Sequence, residues 1–343
     1  MSLVLATGGL GFIGSHTCIN LIDKGYDVLI VDSLKNSHED IYLKILDIIN
    51  FKKNPDRGNI FFKKGDLLEK FFVEKLFQEN KIDSVVHFAG LKSVEESVKN
   101  PLNYWNTNIN ITLNILYTME TYKCYKFIFS SSATIYKPVR SKKLVENNQT
   151  IPFNPYGKTK FTIESILEDV YLSRKDKWKI INLRYFNPVG AHHSGLIGEN
   201  PKQNSSNLFP IIAKVIFENK KILSVFGNDW PTRDGTCIRD YIHIEDLAEA
   251  HFNAIKFLEK NKPQIKSINI GTGLGSSVLE VINTYSRVNR IEIPYKFEEK
   301  RKGDVPFLVA DNNLSKKLFN WYPKKNLELM CKDSFNFLKN LYH

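Results

Sequence analysis

Short apolar runs and longer mixed stretches alternate along the first half of the chain. The runs are four or five residues long, which is typical of strands buried on both faces of a parallel sheet. We predict strands at 3–6, 27–31, 60–63, 84–88, 126–129 and 179–183. We predict helices between them at about 13–24, 71–80, 101–122 and from 156 onwards. This repetition indicates an α/β fold with a doubly wound, parallel Rossmann-type sheet.

The pattern becomes irregular after residue 187. A polar loop is followed by a helix that starts at about 208 and a strand-like segment at 223–226. At 343 residues the chain exceeds the usual size of one domain, so we expect two lobes. We place the dinucleotide-binding domain at 1–183 and a smaller, mixed α/β substrate lobe at 184–343, with the chain crossing between them.

Glycines follow the first predicted strand at the spacing of a dinucleotide-binding turn. Gly8, Gly11 and Gly14 stand three residues apart and open a predicted helix, whose N-terminus attracts phosphate. Asp32 ends the second strand, where a carboxylate accepts hydrogen bonds from an adenosine ribose. A turn that binds nothing leaves all three glycines unexplained. We therefore predict NAD as the cofactor.

Tyr156 and Lys160 are one helical turn apart, on the same helix face. A lysine beside a tyrosine favours the phenolate, so the pair suits proton transfer at a substrate hydroxyl. Ser132 follows a strand and precedes this helix; its hydroxyl either donates to the reacting oxygen or relays its proton. The alternative is purely structural: a packed tyrosine, a solvated lysine and a serine that caps a strand. Behind a dinucleotide turn, we favour redox chemistry on a hydroxyl group.

The net charge of +11 first suggests a nucleic-acid partner. The lysines are spread along the whole chain, however, without a basic tail or a zinc-finger spacing. We therefore predict no nucleic-acid partner, and we note that a basic protein also suits phosphate-bearing substrates. No apolar run has the length of a membrane span, so we predict no membrane partner.

The cysteines, Cys18, Cys124, Cys237 and Cys331, are scattered without a Cys-x-x-Cys pair. This is typical of reduced thiols, and no leader precedes the first strand, so we predict a cytoplasmic protein. His192 and His193 are adjacent, which rarely lets two rings face one ion, and no third ligand is suitably spaced. We predict no metal.

Six segments carry a resemblance to a known family: 8–16, 87–92, 130–136, 154–160, 184–192 and 235–243. On these the chain resembles the extended short-chain dehydrogenases/reductases, and among them the UDP-glucose 4-epimerase family, from residue 7 to about 311. The resemblance implies reversible epimerisation of UDP-glucose and UDP-galactose at C4, through a transient 4-keto sugar and NADH.

The resemblance also implies residue roles. The catalytic residues are Ser132, Tyr156 and Lys160. The cofactor-binding residues are Gly8, Gly11, Phe12, Ile13, Gly14, Asp32, Asn36, Ser37, Asp66, Leu67, Phe88, Ala89, Gly90, Lys92, Asn108, Tyr156, Lys160 and Tyr185. The substrate-binding residues are Lys92, Ser132, Tyr156, Asn187, Asn207, Leu208, Phe226, Arg239, Arg301, Asp304 and Leu308. Arg239 and Arg301 match the positions that hold the pyrophosphate, and Leu308 matches the position that limits the size of the sugar's 2-substituent.

The resemblance further implies a homodimer, paired through helices at about 101–122 and 156–174. Apolar residues beyond one buried face support it: Ile109, Ile111, Leu113, Leu116, Phe161, Ile163 and Ile166.

Three alternatives stay open. A nucleotide-sugar 4,6-dehydratase needs an added acid and base, and relatives of that type carry Asp-Glu after the position of Thr134, where this chain has Ile135 and Tyr136. A nucleotide-sugar decarboxylase has the same fold. A non-catalytic dinucleotide sensor has no need of Ser132, Tyr156 and Lys160 together.

Overall fold

The computed structural model describes residues 2–52, 54–137, 142–202, 207–218, 222–301 and 304–342. A seven-stranded parallel sheet organises the larger lobe, with spatial order β10-β6-β5-β4-β1-β2-β3. Its strands, numbered in chain order, are β1 (Leu3–Thr7), β2 (Asp27–Asp32), β3 (Ile60–Lys64), β4 (Ser84–His87), β5 (Lys126–Ser132), β6 (Lys179–Tyr185) and β10 (Gln264–Ile270). The predicted α/β Rossmann-type fold is confirmed.

Helices cover both faces of this sheet. The helices of the described residues are, in chain order, α1 (Phe12–Asp23), α2 (Asp40–Phe51), α3 (Lys70–Glu79), α4 (Val94–Lys99), α5 (Pro101–Thr121), α6 (Pro155–Ser173), α7 (Leu208–Phe217), α8 (Ile244–Lys260), α9 (Val278–Asn289), α10 (Asn313–Phe319) and α11 (Leu327–Tyr342). Of these, α7, α9 and α11 pack with the strands of the smaller lobe instead. A 3₁₀ turn, Ala133–Ile135, follows β5 directly. The predicted helices at 13–24, 71–80, 101–122 and from 156 correspond to α1, α3, α5 and α6.

The apolar runs are continuous because the sheet is buried on both sides. Val4 packs in one core layer with α1 and α8, whereas its neighbour Leu5 packs in the other layer with α3 and α5. Successive strand residues point to opposite faces of the sheet. Because both faces are buried, every position of these strands favours an apolar side chain. The carboxyl ends of the strands, which carry the polar segments singled out in the sequence, lie along one edge.

The smaller lobe is built around the remaining strands. These are β7 (Asn187–Val189), β8 (Leu223–Phe226), β9 (Ile238–His243), β11 (Gly275–Ser277), β12 (Tyr295–Glu298) and β13 (Phe307–Leu308). β9 is the centre of a four-stranded sheet, flanked by β7, β11 and β13, and β8 pairs with β12. The chain returns to the larger lobe at α8 and β10, where β10 completes the seven-stranded sheet.

Two further observations concern the described residues. All four cysteines are buried and unpaired. Among the helices whose residues are described, none is long and apolar enough to cross a membrane.

Candidate active site

The glycine turn between β1 and α1 leaves its backbone open to a ligand. Gly8 has φ +67°, and a β carbon there would lie 2.8 Å from the nitrogen of Ala89. A β carbon on Gly14 would lie 2.5 Å from the Gly8 carbonyl oxygen, so helix and strand meet there without room for a side chain. At Gly11 the added carbon would meet only that oxygen, at 3.2 Å, and otherwise occupy open space. The turn thus offers bare backbone beside a helix N-terminus, which suits a pyrophosphate.

Asp32 ends β2 and is held rigidly by three donors. Its Oδ2 accepts from the Leu10 nitrogen at 3.1 Å, and its Oδ1 accepts from the Leu34 nitrogen at 2.9 Å and the Ser37 hydroxyl at 2.7 Å. The carboxylate is therefore fixed at the wall of the cavity that contains the glycine turn. A fixed negative charge there suits a free ribose hydroxyl and repels a 2′-phosphate.

Tyr156 and Lys160 lie in the first turns of α6, as predicted. The helix begins at Pro155, and the Asn154 side chain caps it by accepting from the nitrogen of Gly157 at 2.7 Å. The Lys160 ammonium lies 5.9 Å from the centre of the Tyr156 ring. It donates to the Ser130 carbonyl oxygen at 2.8 Å, which ties α6 to the carboxyl end of β5.

Burial dominates the pKa values of this pair. Burial raises the pKa of Tyr156, and a hydrogen bond from Ser132 only partly opposes that rise. Burial also lowers the pKa of Lys160 to about 7. Desolvation is the largest effect on both groups, and the lowering of the pKa of Tyr156 by Lys160 stays a prediction.

A cavity of about 400 Å³ joins the glycine turn to the Tyr156 helix. Most of the predicted cofactor residues line it: Gly8, Gly11, Phe12, Ile13, Gly14, Asp32, Asn36, Ser37, Asp66, Leu67, Phe88, Ala89, Gly90, Lys92, Tyr156, Lys160 and Tyr185. The predicted residues Ser132, Asn187, Asn207 and Leu208 line it too. The Tyr185 hydroxyl donates to His251 at 2.5 Å, so its proton already has a partner within the protein.

Asn108 is the predicted cofactor residue that does not line this cavity. Its side chain accepts from the Leu91 nitrogen at 2.7 Å and donates to the Leu91 carbonyl at 3.1 Å. It also donates to the Thr159 hydroxyl at 3.1 Å. The structure therefore places Asn108 behind the loop after β4, as a brace that joins this loop to α6.

The other predicted substrate residues lie in the smaller lobe, outside the lining of this cavity. Arg239 pairs with Asp304 at 2.6 Å and donates to the Val305 carbonyl at 2.8 Å. The Arg301 guanidinium stacks on Phe226, 3.8 Å from the ring centre. Leu308 stands beside Arg239 in the parallel pair of β13 and β9.

Glu199 is a cavity residue that the sequence did not reveal. It follows Gly198 in the polar loop after β7 and pairs with Lys92 at 3.3 Å, from the opposite lobe. At the other end of the cavity Lys35 pairs with Asp66 at 2.7 Å. Both contacts join segments remote in sequence, so no local pattern marks them.

His192 and His193 do face the same way, so the reason given for excluding a metal is wrong. Their ring centres are 4.1 Å apart, and His193 Nδ1 lies 2.7 Å from Glu245. The nearest ligand atoms of all three lie within 4.8 Å of one another. However, Lys325 already pairs with Glu245 at 2.8 Å, and the Ser194 nitrogen donates to His192 Nδ1, which leaves the proton of the neutral ring on Nε2. We interpret the cluster as an ion-pair network, and the absence of a metal stays a prediction.

The residues present fit NAD. The open space at Gly11, the fixed carboxylate of Asp32 and the buried lysine on α6 are the features that a pyrophosphate, a ribose and a reacting hydroxyl require. The two residues after Thr134 are Ile135, which ends a 3₁₀ turn, and Tyr136, which is buried, so neither of these positions carries a carboxylate. This geometry disfavours a dehydratase.

Comparison with known proteins gives a consistent result. The family described as GDP-mannose 4,6 dehydratase matches residues 5–334. The UDP-glucose 4-epimerase of Bacillus subtilis is 42% identical over 334 residues, which cover 97% of this chain and 95% of that protein. A solved UDP-glucose 4-epimerase from Bifidobacterium longum, in complex with NAD+ and UDP, has a TM-score of 0.92 and 40% identity, covering 99% and 98% of the two chains. The UDP-Glc/GlcNAc 4-epimerase of Campylobacter jejuni has a TM-score of 0.84 and 32% identity, covering 99% and 100%.

The match to the dehydratase family describes the shared fold and extended architecture, whereas the full-length relatives at about 40% identity are epimerases. The chain therefore belongs to the UDP-glucose 4-epimerase family of extended short-chain dehydrogenases/reductases.

Proposed function

We propose that this protein interconverts UDP-glucose and UDP-galactose by inverting C4 of the sugar, with NAD as a retained cofactor. The observation that carries the proposal is the convergence of Ser132, Tyr156 and Lys160 on the cavity that the glycine turn also lines. This arrangement places an acid–base group beside a dinucleotide site.

Tyr156 is the proton acceptor and donor of the reaction. Its phenolate takes the proton of the sugar 4-hydroxyl as C4 loses hydride, and the C4–O bond becomes a carbonyl. NAD, when bound, supplies the acceptor for that hydride and the donor that returns it. The 4-keto sugar presents its other face before the hydride returns, and Tyr156 then gives the proton back to the oxygen. Ser132 donates a hydrogen bond to the Tyr156 oxygen, and the Lys160 ammonium stabilises the phenolate.

The substrate residues of the smaller lobe suit the UDP group. Arginine presents a planar fork of donors that matches phosphate oxygens, so Arg239 and Arg301 are suited to the pyrophosphate. Both are engaged within the protein: Arg239 with Asp304, and Arg301 with Phe226. Binding of UDP exchanges these internal contacts for phosphate and uracil contacts, and it retains the keto intermediate during rotation.

Asp32 supports NAD over NADP, because its fixed carboxylate repels a 2′-phosphate. The nearby Lys35 is paired with Asp66, and so it is not a ready partner for that phosphate. We expect nucleotide extracted from the purified protein to be NAD. NADP as the main species would contradict this assignment.

The direct test is incubation of the purified protein with UDP-galactose and no added cofactor. UDP-glucose as product supports the proposal, a 4-keto-6-deoxy sugar indicates a dehydratase, and no reaction favours a dinucleotide sensor.

Tyr156→Phe removes only the oxygen that carries the proton, so it should fold normally and lose about 10²- to 10⁴-fold in turnover. If Tyr156→Phe keeps more than about a third of the wild-type turnover rate, and the chemical step is shown to limit that rate, then Tyr156 is not the proton-transfer group.

We also propose a homodimer paired through α5 and α6, which pack against each other. Three residues named for it, Ile111, Leu116 and Ile163, are buried in the monomer and are excluded from the interface. Leu102 and Tyr117 on α5 remain 82% and 62% exposed, which supports a covered face. Light scattering at micromolar concentration tests for the dimer, and a monomer mass alone would contradict it.

The four buried, unpaired thiols support a cytoplasmic location.

A further inference from the structure

Ser132 is held by a residue that the reaction described above does not use. Thr134, two positions further along, donates its backbone N–H to Ser132 Oγ at 3.2 Å. Its side-chain hydroxyl also contacts Ser132 Oγ, at 3.0 Å. Thr134 lines the same cavity as Ser132 and Tyr156. The 3₁₀ turn after β5 produces this geometry, because it folds Thr134 back over the serine.

These contacts use the accepting capacity of the serine hydroxyl. A hydroxyl has one proton to donate and two lone pairs that accept. The backbone N–H of Thr134 can only donate, so it occupies one lone pair. A phenolate can only accept, so Ser132 must donate to Tyr156 whenever that group is ionised. The contact with Thr134 Oγ1 is then possible in one direction only, with the threonine donating to the second lone pair.

We propose that Thr134 is a positioning residue that fixes the Ser132 hydroxyl as a donor towards the Tyr156 oxygen. Ser132 then has no free lone pair to receive a proton. The proton of the sugar 4-hydroxyl passes directly to Tyr156, and the serine is not a relay. This inference rests on the proposed function for the identity of the substrate, but the contacts at Ser132 are independent of it.

The electrostatics of Tyr156 agree with this arrangement. The hydrogen bond from Ser132 lowers the pKa of Tyr156 and opposes the effect of burial. Hydrogen bonds in series polarise one another, so a donor behind Ser132 strengthens the bond in front of it. The other titratable groups that face Tyr156 are Lys160 on α6 and Tyr185 on β6.

Two substitutions test the role of the Thr134 hydroxyl in the NAD-loaded enzyme. Thr134→Val keeps the shape and the backbone N–H but removes the side-chain donor, whereas Thr134→Ser keeps the donor. We expect Thr134→Val to lower kcat about 3- to 10-fold at neutral pH, the scale of one hydrogen bond, with little change in KM. Its rate–pH profile should move to higher pH, because the phenolate is less stabilised. Thr134→Ser should restore both properties.

Thr118→Val is the matched control, since it removes a buried threonine hydroxyl that donates to the Asn114 carbonyl at 2.8 Å, remote from the cavity. It should leave the profile unchanged. The decisive experiment introduces Thr134→Val into the Ser132→Ala variant and compares kcat with that of Ser132→Ala alone. If Thr134 acts through Ser132, then Thr134→Val has no further effect on kcat when Ser132 is already alanine. An equal loss in both backgrounds, or a Thr134→Ser variant as slow as Thr134→Val, overturns the proposal.

A second measurement needs no substrate. Near-ultraviolet tyrosinate absorbance, taken as the difference between each protein and its Tyr156→Phe counterpart, reports the ionisation of Tyr156. Thr134→Val should raise the midpoint of that titration, and an unchanged midpoint contradicts the proposal. If the wild type fails to epimerise UDP-galactose, the proposed function fails, and this titration still decides the role of Thr134.

Discussion

At the scale of single residues, Lys160 illustrates how burial sets a proton affinity. Burial lowers its pKa from 10.5 to about 7 in the folded protein. The unfolded chain therefore binds more protons between about pH 7 and pH 10.5, so the stability of the cofactor-free protein rises with pH across that window. As pH falls from 10.5 to about 7 this contribution is lost, and below pH 7 both states hold the proton, so no further change follows.

Lys160→Met should remove that contribution. We expect the difference in unfolding free energy between wild type and variant to change with pH between 7 and 10.5 and to be constant below this window. Urea unfolding of both proteins at several pH values measures it. A difference independent of pH would show that Lys160 is not desolvated as the structure indicates. Lys158→Met, at an exposed position of the same helix, is the control.

We predict that Leu308 influences which sugars are accepted, because it matches the position that limits the size of the 2-substituent in the family that the chain resembles. It packs against the apolar cluster that contains Ala133, Ile135 and Phe186, and Phe186 lines the cavity. The resemblance implies that a small residue at this position admits an N-acetyl group and that tyrosine excludes it, and leucine is intermediate in size between the two. We expect a preference of about 10- to 200-fold for UDP-glucose and UDP-galactose over UDP-N-acetylglucosamine, the range for crowding of one group.

Leu308→Ser should raise the activity on UDP-N-acetylglucosamine, and Leu308→Tyr should abolish it. Comparison of kcat/KM on both sugar types for the three proteins measures the effect. Equal values on both sugars in the wild type would show that Leu308 does not limit the size of the 2-substituent.

At the scale of elements, the sequence predicted the parts whose signal is local. Apolar runs located β1 to β6, and the glycine spacing located the start of α1. The helices α2 and α4 were missed: no helix was predicted at Asp40–Phe51, and the six residues of α4 carry too little periodicity to stand out. The environment of Tyr156 was also missed, because the pKa of a group depends on tertiary burial, which spacing along a helix does not report.

One buried ion pair joins α6 to the sheet. Glu164, two turns after Tyr156 on α6, pairs with Arg184 on β6 at 2.6 Å, and the side chains are only 9% and 8% exposed. Ser131 also donates to Glu164, and Arg184 donates to the Tyr136 hydroxyl at 2.9 Å. Because Ser131 and Arg184 directly precede Ser132 and Tyr185, the pair holds the catalytic helix against the strand ends that line the cavity.

Glu164→Gln leaves Arg184 buried without a countercharge, so we expect a loss of about 3–5 kcal/mol in unfolding free energy. The double variant Glu164→Leu with Arg184→Met removes both charges and should recover much of that loss. Chemical denaturation measures both, and Glu328→Gln, which breaks the exposed pair with Arg287, should change little. A double variant as unstable as the sum of the single variants would show that the two charges do not interact.

At the scale of the whole molecule, the cavity is completed by chain segments from both lobes. Residues 198–201 come from the loop after β7 but line the same cavity as the glycine turn. Two contacts hold this loop against the larger lobe: Glu199 with Lys92 at 3.3 Å, and Lys202 with the Leu34 carbonyl at 3.0 Å. The sequence marks this loop only as polar, because its position depends on how the lobes pack. This part of the site was therefore beyond prediction from local pattern.

The loop contacts lead to a prediction about cofactor retention. Glu199→Gln removes the charge that attracts Lys92, so we expect NAD to leave about 2- to 5-fold faster, the modest effect of a partly exposed ion pair. High salt should speed release from the wild type and narrow the difference, since it screens that pair. Exchange of bound NAD against labelled NAD in solution measures the rate.

Glu249→Gln is the control, because it breaks the pair with Lys324 outside the cavity lining, and it should leave the rate of NAD release unchanged. If Glu199→Gln releases NAD at the wild-type rate at every salt concentration, the loop does not retain the cofactor through this ion pair.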